Sequence, residues 1–504
     1  MKFTLECSKQ HTKRHFKQCS KNERGYTMVL FLAFIVAIML AGFSLYDNGT
    51  VAAERIRLQN TVDATAYSTV NVVTRDMNFI AYTNRAMVAN QVAIGQMLGI
   101  ASWMKMIDQT AENLDTAGSV LALIPYVGAV IKKITTTLAN ATEAAEEFVA
   151  KAMEIAIEGL EFALTALSAS QVGFNFITAE MGYATFNAVS LANDPDINSG
   201  IIAPAFAAAS LIASWAENVE TYKTATTSSG ATNKRHRKRF TEFSEVVSNS
   251  RDPFTKQRNN TWLSAVIVGV GGKVHKKGGN EFKEVTINSN ELQWQWTATD
   301  NVSMWVHYWD WESCGFLCEI WAKQKKEAVP LGWGAAHALN ENVSGDSYNY
   351  KKGKSPKWWG NAWSNNLAES AALSWYGSNN LTSTEGLRTF IDLKKEDYQD
   401  VGPNMVVLLA KPRNALKMQE TLDDNDANYN RTALMSIEEE GSIAGGNLYG
   451  LSKAETYFSR PRDLWMRADK KREYGNLYNP YWQTRLIENT TVEQVAASAV
   501  QVVF

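Results

Sequence analysis

Four histidines, two cysteines and a few loops rich in glycine or aspartate carry what reactive chemistry the sequence offers beyond its N-terminal region. Their spacing excludes most of it. Gly269-Val-Gly-Gly-Lys273-Val274 has the composition of a phosphate loop, but Ile267 stands where the first glycine is needed. Val274 stands where a Ser or Thr hydroxyl should reach Mg²⁺, so the stretch reads as a hairpin turn. Asp424, Asp426 and Asn428 supply the first three oxygens of a calcium loop. Tyr429 then replaces the glycine of the sharp turn and Met435 the closing bidentate glutamate, which leaves a surface loop. Cys314-Gly-Phe-Leu-Cys318 can close a small disulfide in an oxidising compartment, the alternative being two reduced thiols in a hairpin; a metal site using His307 as well would need further ligands.

His236, His275, His307 and His337 have neither metalloprotease spacing nor a nucleophile elbow nearby, so we expect no enzyme, no cofactor and no metal. Aromatic chemistry is more abundant. Of the 16 Trp, most fall between Trp294 and Trp375, including Trp358-Trp359. Such platforms suit sugar rings, but their alternation along strands favours sheet-face packing and protein interfaces. The net charge of −2 gives no reason to expect a nucleic-acid partner.

The element that must position everything else is Tyr26 to Leu45, an unbroken run without a charged side chain. As a helix it spans roughly 30 Å, the hydrocarbon thickness of a bilayer, and crosses once. Residues 1–25 carry Lys2, Lys9, Lys13, Arg14, Lys17, Lys21 and Arg24 against Glu6 and Glu23. That basic tail stays cytoplasmic, and the bulk of the chain lies beyond the inner membrane. A secretory signal peptide fits less well, since the core is long and Leu40 to Ser44 is a poor cleavage site. Arg24-Gly25-Tyr26-Thr27-Met28 resembles a prepilin leader junction, cut between Gly25 and Tyr26. Leu30 departs from that pattern, where type IV prepilins carry a glutamate.

Residues 46–230 read as a helical stalk and bundle. No proline interrupts the chain until Pro125, and Asn48-Gly49 is the weak point. Leu58, Gln59 and Asp63 accompany a stripe of small residues, Thr61, Ala64, Thr65 and Ser68, that lets another helix approach closely. Asn78, Tyr82, Arg85 and Ala89 form a polar stripe, read as hydrogen bonding within the chain or as contact with an assembly partner. Ser119 to Ile131 is too short to span and, broken by Pro125 and Gly128, reads as a helix hairpin. Val149, Met153, Ala156, Leu160, Ala163 and Leu167 make a heptad seam for packing inside a bundle. Further helices are expected over Gln171 to Leu191 and, after Pro204, Ala205 to Thr224.

A polar run from Thr224 to Asn233 and the basic Lys234 to Arg239 mark a domain boundary, the basic cluster reading as an exposed loop that could meet anionic lipid or a pilin partner. Residues 231–504 then form a strand-rich domain. Strands are predicted at Trp262 to Gly269, Phe282 to Ile287, Leu292 to Ala298, Met304 to Trp309, Met405 to Ala410 and Tyr449 to Phe458. The fold class is therefore α+β: a transmembrane helix continuing into a helical stalk and bundle, followed by an antiparallel strand-rich domain.

The charge-poor span, the arginines after it, Leu58-Gln59, Asp63-Ala64 and the continuation Asn78 to Asn90 resemble the TadE/TadG-like proteins of tight-adherence (Tad, Flp-type) pilus systems, in a branch with a large exported region. The likeness runs over residues 24 to 95, with echoes at Ser250 to Phe254, Tyr457 to Pro461 and Asn479 to Leu486. It implies a non-catalytic, single-pass bacterial inner-membrane component of pilus assembly or secretion, with the lipid bilayer and pilin-like or pilus assembly proteins as partners and homo-oligomers among its forms. No Asp-x-Ser-x-Ser motif of the von Willebrand kind found in some larger TadG-like proteins is present. The alternative is an anchored protein that binds envelope glycan through the Trp-rich sheet face.

Overall fold

The computed structural model describes residues 4–121, 128–197, 201–267, 270–287, 290–312, 321–340, 381–394, 400–412, 415, 447–461 and 471–501. Helix α1 runs unbroken over Thr4–Leu121, 118 residues, through Asn48-Gly49. Helix α2 follows at Gly128–Asn193, and the intervening residues with Pro125 lie outside the described chain. The two helices pack as an antiparallel hairpin. Lys132, Thr135 and Thr136 all reach the Asp115 carboxylate, Lys105 pairs with Glu146 at 3.7 Å, and Asn175 reaches Asp76.

Next come α3 (Ile202–Asn218), β1 (Val219–Tyr222), β2 (Ala225–Thr226), α4 (Ala231–Asn249) and the short α5 (Pro253–Lys256). The strand-rich part holds β3 (Asn260–Ile267), β4 (Val270–Ile287), β5 (Glu291–Glu312), β6 (Trp321–Leu339), β7 (Thr382–Ser383), β8 (Phe390–Leu393), β9 (Val401–Pro412), β10 (Asn447–Phe458) and β11 (Trp482–Ile487), and α6 (Thr491–Gln501) follows. Among the described residues these strands form a six-stranded sheet ordered β3-β4-β5-β6-β7 with β2 on β5, a three-stranded sheet β11-β10-β9, and the pair β1-β8. All pairings are antiparallel except β6 with β7. The chain is α+β, as its sequence pattern predicts.

Both larger sheets wrap α1. Leu58, Val62, Ala66 and Val70 meet Phe186 of α2, Ala203 and Ala207 of α3 and the inner residues of β9 and β10. Farther along, Met77 and Ile80 meet Phe458 and Trp482, and Met87 to Ala101 meet Trp294, Trp296, Phe240 and Phe390. Helical and strand-rich parts thus share their cores.

Close approach is secured by glycine. Gly334 of β6 lies against the α1 backbone at Ser102 and Met106, and Gly332 against Thr110, with no room for a Cβ at either. Gly95 of α1 lets the Trp296 ring sit on the helix, where an added Cβ would be 3.2 Å from it.

Several local expectations change. The helix expected from Gln171 is the second half of α2, because no breaker separates it from the heptad segment. The one expected up to Thr224 stops at Asn218, since Val219–Tyr222 pairs with β8 instead. The basic run is helical, not a loop. Long Lys and Arg side chains favour helix, and acidic partners hold three of them: Arg235 to Glu220 at 2.8 Å, Arg237 to Glu284 at 2.7 Å and Arg239 to Glu242 at 2.9 Å. Gly271, Gly272 and Lys273, read as a turn, lie inside β4, paired with β3 and β5; glycine has no side chain to resist a strand built between two neighbours. The calcium-like loop at Asp424 and the cysteines Cys314 and Cys318 lie outside the described residues.

We expect Gly334→Ala to cost about 1–3 kcal/mol through overpacking against α1, read as a lower urea midpoint, whereas Gly49→Ala, with open space at its Cβ position, should be neutral or slightly stabilising.

Candidate assembly face and anchor

From Thr27 to Leu45, α1 is apolar and none of its residues is buried against the rest of the protein. A Cβ on Gly42 or Gly49 would meet nothing within 4 Å. This is the one helix among those described that is long and apolar enough to cross a membrane. The body begins where side chains first go under, at Glu54 and Leu58. Gly25 and Tyr26, which resemble a prepilin leader junction in sequence, fall inside α1.

The predicted contact residues divide by face. Leu58, Thr61 and Thr65 are buried and Ala64 and Ser68 half-buried, on the side of α1 that the rest of the chain covers. Gln59, exposed, donates to Asp63 at 2.8 Å and to the Leu451 carbonyl of β10 at 3.1 Å. Asn78 exchanges two hydrogen bonds with the Trp482 backbone, donating at 3.0 Å and accepting at 3.1 Å. Tyr82 is 62% exposed, and Arg85, also exposed, reaches Asn479 Oδ1 at 3.5 Å. The stripe therefore splits into one internal tie, Asn78, and three residues left at the surface, Tyr82, Arg85 and Ala89.

The buried polar seam lies one residue away. Asn84 donates to the carbonyls of Ile391 and Leu477, both at 2.9 Å. Gln171 of α2 donates to Asn84 Oδ1 and Thr83 Oγ1, both at 2.7 Å, and accepts from the Ile391 amide at 3.1 Å. Helix hairpin and strand pair are locked together at that point. A sequence signal existed: Thr69, Asp76 and Thr83 recur every seven residues among apolar neighbours, as do Asn84 and Gln91.

Two ion clusters, which spacing alone could not reveal, fasten the sheets. Asp300 of β5 accepts from Arg258 Nη2 at 2.7 Å, Lys276 Nζ at 2.6 Å and Ser102 Oγ of α1 at 2.9 Å. Asn280 joins Arg258 to the Gly95 carbonyl of α1. Burial lowers the Lys276 pKa, against the pull of Asp300. Nearer the span, Lys411 of β9 donates to Glu54 of α1 at 2.8 Å and to Asp194 after α2 at 2.9 Å. Burial opposes the charge on Lys411, but its two carboxylate partners raise its pKa overall. These carboxylates are committed to structural cations. Among the described residues no group of three His, Cys, Asp or Glu side chains is placed to hold a metal ion.

Two acids stand apart. Burial pushes Asp76 up to about 6 although Asn175 donates to it at 2.7 Å, and burial does the same to Asp392 despite the charge of Arg239. Of the Trp-rich stretch, Trp294 and Trp296 are buried, Trp294 stacking on Phe240 and Trp296 packing against Phe282, while Trp333 is half-buried.

Span, spine and wrapped sheets define the class as an α+β body built on the extension of a membrane-length helix. Comparison with known families places the base of that spine. The Tad family model, described as Flp pilus-assembly TadE/G-like, matches residues 25–71, so the chain carries a TadE/G-like segment from Gly25 through the apolar run to the first buried turns. No curated protein and no solved structure matches the chain.

A carboxyl whose folded pKa is raised adds no penalty below about pH 4, where it is protonated in both folded and unfolded chains, and its full penalty above about pH 6. Thermal stability in detergent should therefore fall between pH 4 and pH 6.5, by less than the two acids alone would give, because burial pushes His337 down to about 4 and its contribution rises over the same range. Asp76→Asn should remove part of that fall, about 2–3 kcal/mol at neutral pH for two pKa units. Lys411→Ala leaves Glu54 and Asp194 facing each other without their cation, and should cost about 3–5 kcal/mol in the same assay.

Proposed function

We propose that the protein is a membrane-anchored, non-catalytic component of a Tad or Flp-type pilus or a related secretion apparatus. Its basic tail lies in the bacterial cytoplasm and its body beyond the inner membrane. The observation that carries this reading is the continuity of an apolar span in which no residue is buried with the helix that forms the core of the body, at the segment matching the TadE/G-like family. The charge of residues 1–25 supports the orientation. The apolar span would pack beside other pilin-like spans in the bilayer. Tyr82 and Arg85, exposed on the spine, are available to assembly partners.

The test is fractionation of the native host, with mass spectrometry of the protein's N-terminal peptide from membranes and from sheared surface material. We expect the chain to stay with membranes or filaments, to co-isolate with pilus assembly components, and to lose its body but not its tail when protease is added to spheroplasts. A start at Tyr26 in sheared filaments identifies a filament subunit, and a start at Met1 confined to membranes identifies a resident assembly factor. Release as a soluble protein cut after the span would overturn the reading.

A further inference from the structure

The outer face of α2 carries a second apolar pattern, beside the seam that packs inward. Phe148, Ile155, Phe162, Phe176 and Tyr183 fall on one seven-residue repeat and are 74%, 62%, 77%, 72% and 58% exposed. Ala169 fills the one remaining place in that repeat. Four residues after the first four places stand Ala152, Gly159, Ala166 and Gly173, and four after Phe176 stands Glu180. Apolar residues in alternating steps of four and three describe a coiled-coil seam. The face of α2 that carries Ile157, Leu164 and Gln171 is buried, so this seam has no partner among the described residues.

The glycines provide an independent observation. In the interior of a helix each costs about 0.5–1 kcal/mol relative to alanine. A Cβ at Gly159 or Gly173 would meet nothing within 4 Å, so no contact among the described residues accounts for them. Phe162 and Phe176 stand three residues after Gly159 and Gly173 on the same face. Each glycine leaves a gap beside these rings that lets a neighbouring backbone come close.

We propose that this face, Phe148 to Tyr183, docks a second copy of the chain, with the two α2 helices parallel and in register. The inference rests on the anchored reading above, which orients all copies alike in one membrane. The hairpin sets the height of the seam: the pairing of Asp76 with Asn175 and the contact of Gly182 with Thr69 place Tyr183 level with residues near Thr69. That is roughly 35 Å beyond Leu45 at ~1.5 Å per residue, so lipid does not cover it.

A second copy presents the same repeat at the same height, and every layer meets its like. One layer is opposed by charge: Glu180, between Phe176 and Tyr183, meets Glu180 of the second copy and must turn its carboxylate outward to water. Elsewhere charge permits the pairing: in a parallel pair the residues flanking one side of the seam face those flanking the other, and Val149, Ala156, Ala163, Ser170 and Ile177 are uncharged, so Lys151 and Glu158 meet no like charge. The seam is about 54 Å long, enough for two helices to bury on the order of 1,600 Å², the size of a stable interface.

The experiment uses the full chain in lipid vesicles, with the native cysteines replaced by serine and single cysteines introduced. Phe162→Cys and Ile155→Cys should each form disulfide-linked dimers on mild oxidation, at least tenfold more than Tyr82→Cys on exposed α1. Gly159→Leu with Gly173→Leu should cut cross-linking through Phe162→Cys at least tenfold while thermal stability holds or rises. A monomer by native mass spectrometry in nanodiscs, or cross-linking at 162 no greater than at 82, would overturn the proposal. So would linkage of 155 to 176 in place of like to like, or capture of residue 162 by a different protein or by the chain's own Trp-rich segment. A dimer without pilus association would keep this surface and sink the functional reading, and a monomer with pilus association would do the reverse.

Discussion

An α-helix satisfies its backbone hydrogen bonds internally, and so can pass through lipid, water and protein interior without changing conformation. Helix α1 does all three if its span lies in a bilayer. Apolar side chains clothe it from Thr27 to Leu45, a mixed neck follows, and from Glu54 onward two sheets and a second helix close around it. Because one continuous ladder serves all three regions, the sheets need no register of their own with the membrane. They need only be fastened to the helix.

The fastening is polar as well as apolar. Apolar packing buries area but does not fix where along a smooth cylinder a sheet comes to rest. The Asp300 cluster reaches α1 at Gly95 and Ser102, the Asn84 and Gln171 seam ties it to the Ile391 and Leu477 backbone, and Lys411 ties it to β9 at Glu54. Each group has defined partners, so a slip of one turn would leave buried charges or amides unpaired, at a cost far above that of shifting apolar contacts. Glycines at β6 bring strand and helix near enough for such ties to form.

Much of the fold was legible in the sequence because it rests on local pattern. The span, the absence of proline before Pro125, the inward heptad on α2 and the alternation of Leu292, Trp294, Trp296 and Ala298 all act over a few residues. What was not legible is non-local. Asn84 and Arg85 look equally suited to a polar seam; only the position of β8, some three hundred residues later, decides that Asn84 is buried and Arg85 is not. Val219–Tyr222 could have prolonged α3, and pairing with Phe390–Leu393 made it a strand. The basic run looked like a loop because its carboxylate partners, Glu220 and Glu284, come from two different strands. The outward heptad was hidden beside the inward one, offset from it by a single residue.

The exposed neck between Leu45 and Leu58 has a mechanical consequence. Up to Glu54, where the body closes around it, it is a single helix without proline, about 14 Å long, whose flexural stiffness exceeds that of any loop of equal length. A sideways load on the body would reach the bilayer as torque on the span, and a tilt imposed on the span would swing the far end of the hairpin through an arc several times larger. With the span in a bilayer, the protein would act as a lever with its fulcrum at the membrane surface, its standoff from that surface fixed by residue count.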